Sequence, residues 1–183
     1  MLSGPKPLVP LSYTDGQVQF PSLSLFLPQL SVKAYDPQTG RLDISIRESV
    51  QTHNKLHALQ SSLLNAVSTH QAAWFTDSQR SQAELQQLFQ PMIEGDTLHL
   101  YCPVTIQEKR LGGTDSIVVF RSERSGPVSV SHGVRPGHMK PGDTLRIALR
   151  IQGISFHNHP AYGQWTGKFR LQHRIIALYV NSS

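Results

Sequence analysis

Two stretches decide the fold: TLRIALRIQGISF (144–156) and GKFRLQHRIIALYV (167–180). In the first, Leu145, Ile147, Leu149 and Ile151 fall on one side of an extended chain, and Arg146, Arg150 and Gln152 on the other. In the second, Phe169, Leu171 and Ile175 share one side, and Lys168, Arg170, Gln172 and Arg174 the other. Period-2 alternation of this length predicts two long strands, at about 144–157 and 166–180. The apolar phase moves from odd to even positions at Gly153. That predicts a bulge and a bend in the strand. Paired, the polar sides of these strands form a ladder of five cations (Arg146, Arg150, Lys168, Arg170, Arg174) and two amides (Gln152, Gln172). Like charges facing each other across a sheet repel, so such a ladder invites an anionic guest.

The segment joining the strands narrows the chemistry. ISFHNHPAYGQWTGKFRLQHR (154–174) holds His157, His159 and His173, four aromatics, three cations and no acid. His157 and His159 share one side of a strand, and three histidines with a water would suit zinc. However, Asp143 is the one acid between Glu123 and the C-terminus, and Lys168 and Arg170 repel a cation. A carboxylate outer shell and a general base are therefore missing nearby. Gly163-Gln-Trp-Thr-Gly167-Lys168 is not a phosphate loop, because the glycine spacing is short and Phe169 stands where a hydroxyl should bind magnesium. No metal and no cofactor are expected. A cationic face flanked by Tyr162 and Trp165, two rings in the connecting loop, suits a nucleic-acid strand. Phosphates would relieve the repulsion and release counterions, and the rings would stack on bases.

The chain around this pair has helical and β signals in turn. Pro5, Pro7, Pro10 and Pro21 make residues 1–22 an extended arm; residues 23–183 form one globular domain. LSVKAYDPQTGRLDISI (30–46) reads as a hairpin around Asp36-Pro37-Gln38-Thr39-Gly40. Over 49–70, Leu56, Leu59, Leu63 and Val67 draw a helical stripe that Leu64 widens. A second helix at about 82–90 has capping-box spacing at Ser81 and Glu84, a buried side of Leu85, Leu88 and Phe89, and a stop at Pro91. Trp74-Phe75 reads as a core plug between the helices, and Phe156 and Phe169 as core. From 96 to about 181 the pattern is β, with a basic hairpin tip at 109–115 and a Pro/Gly loop at 133–143. The fold class is mainly β (α+β): an antiparallel twisted sheet, or a small OB-like barrel, with a helical segment at about 49–90.

Charge is uneven. Residues 1–103 hold six Lys/Arg and eight Asp/Glu, a net of −2, whereas residues 104–183 hold eleven and four, a net of +7. A basic half points to an anionic partner, nucleic acid before an acidic membrane surface. No apolar run approaches a membrane span of roughly 20 residues. The proline-broken N-terminus lacks a signal-peptide core. The single Cys102 excludes an internal disulfide framework and fits an intracellular protein. Neither a nucleophile–base pair nor paired carboxylates stand out, so an enzyme is not expected.

The order of AAWF (72–75), ELQQLFQPMI (84–93), TLHLYCPV (97–104), IVVF (117–120), LRIQGISF (149–156) and TGKFRLQHRIIALYV (166–180) resembles a family of small proteins from nucleocytoplasmic large DNA viruses. That family is similar to viral single-stranded DNA-binding proteins with an OB-like barrel. The resemblance covers about 110 residues and leaves out 1–40. It implies DNA binding in viral replication or packaging, at a replication site in the host cell or in the virion. A virion structural protein that assembles with itself or with other virion proteins is the alternative. Together these readings nominate a sequence-tolerant single-strand binder. Its candidate contacts are Arg146, Arg150, Tyr162, Trp165, Lys168, Arg170, Gln172 and Arg174, extended by Lys109, Arg110, Arg121 and Arg124.

Overall fold

The computed structural model describes residues 7–75, 79–102, 118–122, 139–158 and 165–181. The described elements are β1 (Leu8–Pro10), β2 (Tyr13–Asp15), β3 (Val18–Phe20), β4 (Leu23–Phe26), β5 (Leu30–Asp36), β6 (Arg41–Ser45), α1 (Val50–Trp74), α2 (Gln82–Leu88), β7 (Phe89–Gln90), β8 (Ile93–Glu94), β9 (Thr97–Tyr101), β10 (Val118–Ser122), β11 (Thr144–Asn158) and β12 (Trp165–Asn181). The fold is mainly β with two helices among the described residues, and β11 and β12 are the two long strands that the alternation predicts. Ten strands hydrogen-bond into one sheet whose main path runs β10-β12-β11-β5-β6-β9-β8; β1 and β4 also pair with β11, and β7 with β12.

The sheet corrects the all-antiparallel expectation. β10 runs parallel to β12 from Val118↔Ala177 to Ser122↔Asn181, and β7 runs parallel to it at Phe169↔Phe89. Parallel neighbours need crossover connections rather than tight hairpins, and hydropathy period reports neither strand direction nor partner. The described path has two ends, β10 and β8, so among the described residues the sheet is open and no barrel closes.

The chain divides into two compact units. One comprises Met1–Leu23, Asn54–Met92 and Ile151–Gln172; the other comprises Ser24–His53, Ile93–Arg150 and His173–Ser183. Both long strands supply residues to both units.

The first unit is built on α1. Its buried stripe is Leu56, Gln60, Leu63, Val67 and Gln71. Leu59 and Leu64, expected in the stripe, are only half-buried. The two glutamines are buried because each satisfies backbone groups, which makes a buried polar side chain tolerable. Gln60 Oε1 accepts from the Met92 amide. Gln71 Oε1 accepts from Arg80 N at 2.8 Å, while its Nε2 donates to Arg80 O at 2.9 Å. This clamp holds the residue before Ser81. Ser81 then caps α2 with the full capping box: Glu84 N donates to Ser81 Oγ, and Ser81 N donates to Glu84 Oε2. α2 stops at Leu88 rather than reaching 90. Gln90 precedes Pro91, a position that disfavours helical backbone, and Phe89 turns extended to join β12. The aromatic core holds as expected. Phe156 lies 4.9 Å from Phe75, 5.9 Å from Trp74 and 5.7 Å from Phe169, ring centre to ring centre, and Phe89 packs on Phe169 at 5.3 Å. Phe156 and Phe169 are fully buried.

Residues 8–10 of the proline-rich arm form β1, paired antiparallel with β11 at Leu8↔Ser155, Val9↔Ile154 and Pro10↔Gly153. Gly153 is glycine because β1 passes over it: a Cβ there would lie 2.1 Å from the Val9 carbonyl oxygen.

The second unit is built on the predicted 30–46 hairpin. β5 and β6 pair from Ser31↔Ser45 to Asp36↔Arg41, with a register shift between Val32 and Ala34. The Asp36 carboxylate closes the turn by accepting from Thr39 Oγ1 at 2.6 Å and Gln38 N at 2.8 Å. Those bonds, Thr39 first, hold its pKa below the usual carboxylate value. Gly40 has φ 75°, and a Cβ on it would meet Tyr101 at 2.8 Å. β9 continues the sheet on β6, and Leu42, Ile44, Leu98, Leu100, Leu145, Ile147 and Leu149 are buried in this unit's core. No helix among the described residues is long and apolar enough to cross a membrane.

Candidate nucleic-acid interface

The β11 cations lie in the second unit. Burial there follows the predicted period: Leu145, Ile147 and Leu149 are buried, while Arg146 and Arg150 are exposed. The two arginines are four positions apart, about 13 Å at strand rise. Ala148 between them is buried. A methyl group in that place leaves the two long side chains as the strand's reach into solvent. Gln152 is half-buried in the first unit.

The β12 cations Lys168 and Arg170 lie in the first unit, exposed on either side of the buried Phe169. Gln172 is half-buried. Arg174, in the second unit, is half-buried and engaged rather than free, so it differs from the exposed cation expected there. The alternation placed it on the polar side, but depth below the surface is set by neighbouring elements, which the period does not encode. Trp165 is the first residue of β12 rather than part of the loop. Arg121 falls on β10. Lys109, Arg110, Arg124 and Tyr162 lie outside the described residues.

Acid placement decides which cations are available. Asp143 is the one acid in the sequence between Glu123 and the C-terminus. It is buried, and its Oδ2 accepts from the Lys140 amide at 2.9 Å in the turn that opens β11. It is therefore spent on the turn. Among the described residues, Arg146, Arg150, Lys168 and Arg170 make no hydrogen bond or ion pair.

Elsewhere in the second unit Lys33 and Arg41 are matched, whereas Arg47 and the Lys140 ammonium are exposed without an acidic partner among the described residues. Lys33 Nζ meets Asp96 Oδ1 at 2.9 Å and Thr97 Oγ1 at 2.7 Å, and the Lys33 bond leads in holding Asp96 below the usual carboxylate pKa. Arg41 Nε donates to both Asp43 oxygens at 3.0 and 3.2 Å. His99 Nδ1 lies 2.7 Å from Asp43 Oδ1, and its Nε2 lies 3.6 Å from Glu94 Oε2. Burial pushes the Asp43 carboxyl up, but the bonds from His99 and Arg41 outweigh it and hold the pKa below its ordinary value. This network was not foreseen from the sequence. Its signal was the alternation Arg41-Leu42-Asp43-Ile44 against Thr97-Leu98-His99-Leu100, which becomes a contact only through the register Asp43↔His99.

Among the described residues, two further reactive groups, Cys102 and Tyr35, have raised pKa values. Burial pushes the Cys102 thiol up to about 12, so it is not a thiolate nucleophile at neutral pH. Tyr35 donates to the Cys102 carbonyl at 3.1 Å, and burial raises its pKa to about 12. His157 and His173 are half-buried on β11 and β12, and His159 lies outside the described residues. Among the described residues no three His, Cys, Asp or Glu side chains gather as a metal site.

Comparison with protein-family models, with curated proteins and with solved structures found no match.

Proposed function

We propose that the chain is a sequence-tolerant binder of single-stranded nucleic acid, acting by contact rather than by catalysis. The reading is carried by one observation: the exposed pairs Arg146–Arg150 and Lys168–Arg170 have no acidic partner among the described residues, because Asp143 is committed to its turn. Unmatched cations on strands that bury their other side give phosphates fixed places to bind and counterions to release. Trp165, Lys109, Arg110, Arg121, Arg124, Tyr162, Gln172 and Arg174 are further candidate contacts in this reading, drawn from the sequence. An open sheet then takes the part that an OB-like barrel plays in the resemblance. Viral replication or packaging, in the host cell or the virion, is the setting that the resemblance implies.

The test is the salt dependence of binding. Replacing Arg146, Arg150, Lys168 and Arg170 by alanine should lower the slope of log K against log salt by about 2.8, at roughly 0.7 per phosphate on a single strand. An unchanged slope in the folded variant contradicts the assignment.

A further inference from the structure

Among the described residues Phe26 is the most exposed large apolar side chain, at 82%, whereas Leu27 beside it is buried. Burial alternates along β4, with Leu23 and Leu25 half-buried and Ser24 and Phe26 exposed. β4 pairs with β11. Leu30 faces Leu145 in the antiparallel β5–β11 register, and the Leu27 amide donates to the Ile147 carbonyl at 2.8 Å. As the chain runs back from Leu30 to Leu27, its partner on β11 advances from Leu145 to Ile147. β4 therefore lies along the part of β11 that leads from Ile147 towards Arg150. Leu27 and Ile147 are both buried on the core side. Strand alternation then sets Phe26 on the opposite, solvent side, with Arg146, Ala148 and Arg150. The ring and the two exposed arginines share one face of two neighbouring strands, and all three belong to the second unit.

Charge and polarity on this face select its occupant. No acid occurs in the sequence from Gly16 to Tyr35 or from Thr144 to the C-terminus, and Asp143 is buried in its turn. Towards β5 the border is neutral, where Gln29 Nε2 donates to Thr144 Oγ1 at 2.8 Å. A second copy docking by the same face would set its own arginine pair against this one and be repelled. An apolar partner or a bilayer needs a contiguous apolar patch. The exposed residues around Phe26 are instead Ser24 on its own strand and Arg146 and Arg150 on the next. A polyanion that carries flat rings suits both features at once: its phosphates meet the guanidinium groups, and a base covers the phenyl ring.

We propose that Phe26 is a base-stacking residue for single-stranded nucleic acid, holding an unpaired base while Arg146 and Arg150 hold phosphates of the same strand. This rests on the proposed function and adds to it a base contact in the unit that supplies two of its phosphate contacts. Every base offers a π-face, so the contact is indifferent to base identity and fits sequence-tolerant binding. Bases paired in a duplex are not free to cover the ring, so it also favours the single strand.

The test uses the full chain and two labelled probes of equal length, an oligothymidylate and a deoxyribose-phosphate oligomer without bases. The wild-type chain should bind the oligothymidylate more tightly. Phe26→Leu keeps an apolar side chain at an exposed position and removes the ring. It should weaken oligothymidylate binding about five-fold or more, the loss of one stacked base, with the probe without bases bound as before and the salt slope unchanged. Phe26→Trp should bind the oligothymidylate at least as tightly as wild type. Arg146→Ala with Arg150→Ala should do the reverse of Phe26→Leu: the slope of log K against log salt falls by about 1.4, at roughly 0.7 per phosphate, and the preference for the probe with bases stays. A Phe26→Leu chain that binds and discriminates like wild type overturns the stacking assignment alone. So does a Phe26→Leu chain that loses binding to anionic phospholipid vesicles while keeping the oligothymidylate, which would make the ring a membrane contact. A wild-type chain that binds neither probe overturns the function on which the contact rests, and the contact with it.

Discussion

Gly153→Ala tests how the arm is fixed to the sheet. The added Cβ would stand 2.1 Å from Val9 O, 2.9 Å from Val9 C and 3.0 Å from the Pro10 Cα. All three are backbone atoms, so no rotamer change removes the clash, and β1 must lift by about an ångström to restore ordinary van der Waals contact. That displacement breaks the flanking bonds Leu11 N to Gln152 O, now 3.2 Å, and Phe156 N to Pro7 O, now 3.0 Å. At a net 0.5–1.5 kcal/mol each, the two bonds are worth roughly 1–3 kcal/mol. Loss of Pro7 burial adds to this. Detachment of a three-residue strand also caps the cost, because releasing β1 is cheaper than straining β11. The expected result is a urea midpoint lowered by the equivalent of about 2–3 kcal/mol, with fast amide exchange at Leu11 and Phe156 and protection retained in the β6–β9 ladder, where Leu42 pairs with Leu100 and Ile44 with Leu98. An unchanged midpoint with slow exchange at both amides would refute the close-approach argument.

Further outcomes follow from the same packing. Phe156→Ala removes the ring that meets Trp74, Phe75 and Phe169, and should cost about 3–5 kcal/mol in chemical denaturation; a loss under about 1 kcal/mol would contradict its place at the centre of the cluster. Gln71→Leu keeps much of the volume but strands the Arg80 amide and carbonyl, so it should destabilise by roughly 1–3 kcal/mol, whereas a neutral result would mean the clamp is replaceable. Asp43 has a lowered folded pKa, so its stabilisation is present above the ordinary value near 3.9 and is lost as pH falls through the folded value. Asp43→Asn should therefore flatten the acid limb of stability against pH below about 4; an identical acid limb in variant and wild type would disprove the contribution.

The strands were legible because their residues alternate strictly. Arg146, Arg150, Lys168 and Arg170 are exposed where the period places them, and Phe156 and Phe169 are buried where it places them. The hairpin turn and the α2 cap were readable because Asp36, Thr39, Ser81 and Glu84 act on backbone within three residues. What the sequence hid depends on distant partners. Gln60 and Gln71 lie in the buried stripe of α1 because Met92 and Arg80 bring backbone groups to them. Arg174 is half-buried although its position in the period matches that of Arg170. The parallel direction of β10 and β7, and the docking of β1 over Gly153, are choices of strand partner that neither periodicity nor turn chemistry reports.

The most direct test of nucleic-acid binding is fluorescence anisotropy of the full chain with labelled single-stranded and duplex DNA of equal length, across a salt series. Tighter binding to the single strand, with affinity falling about 50-fold between 50 and 200 mM salt from four phosphate contacts, is the predicted result. Absence of binding to either DNA at the lowest salt would contradict it and leave the β11 and β12 cations as a solvated or protein-docking surface.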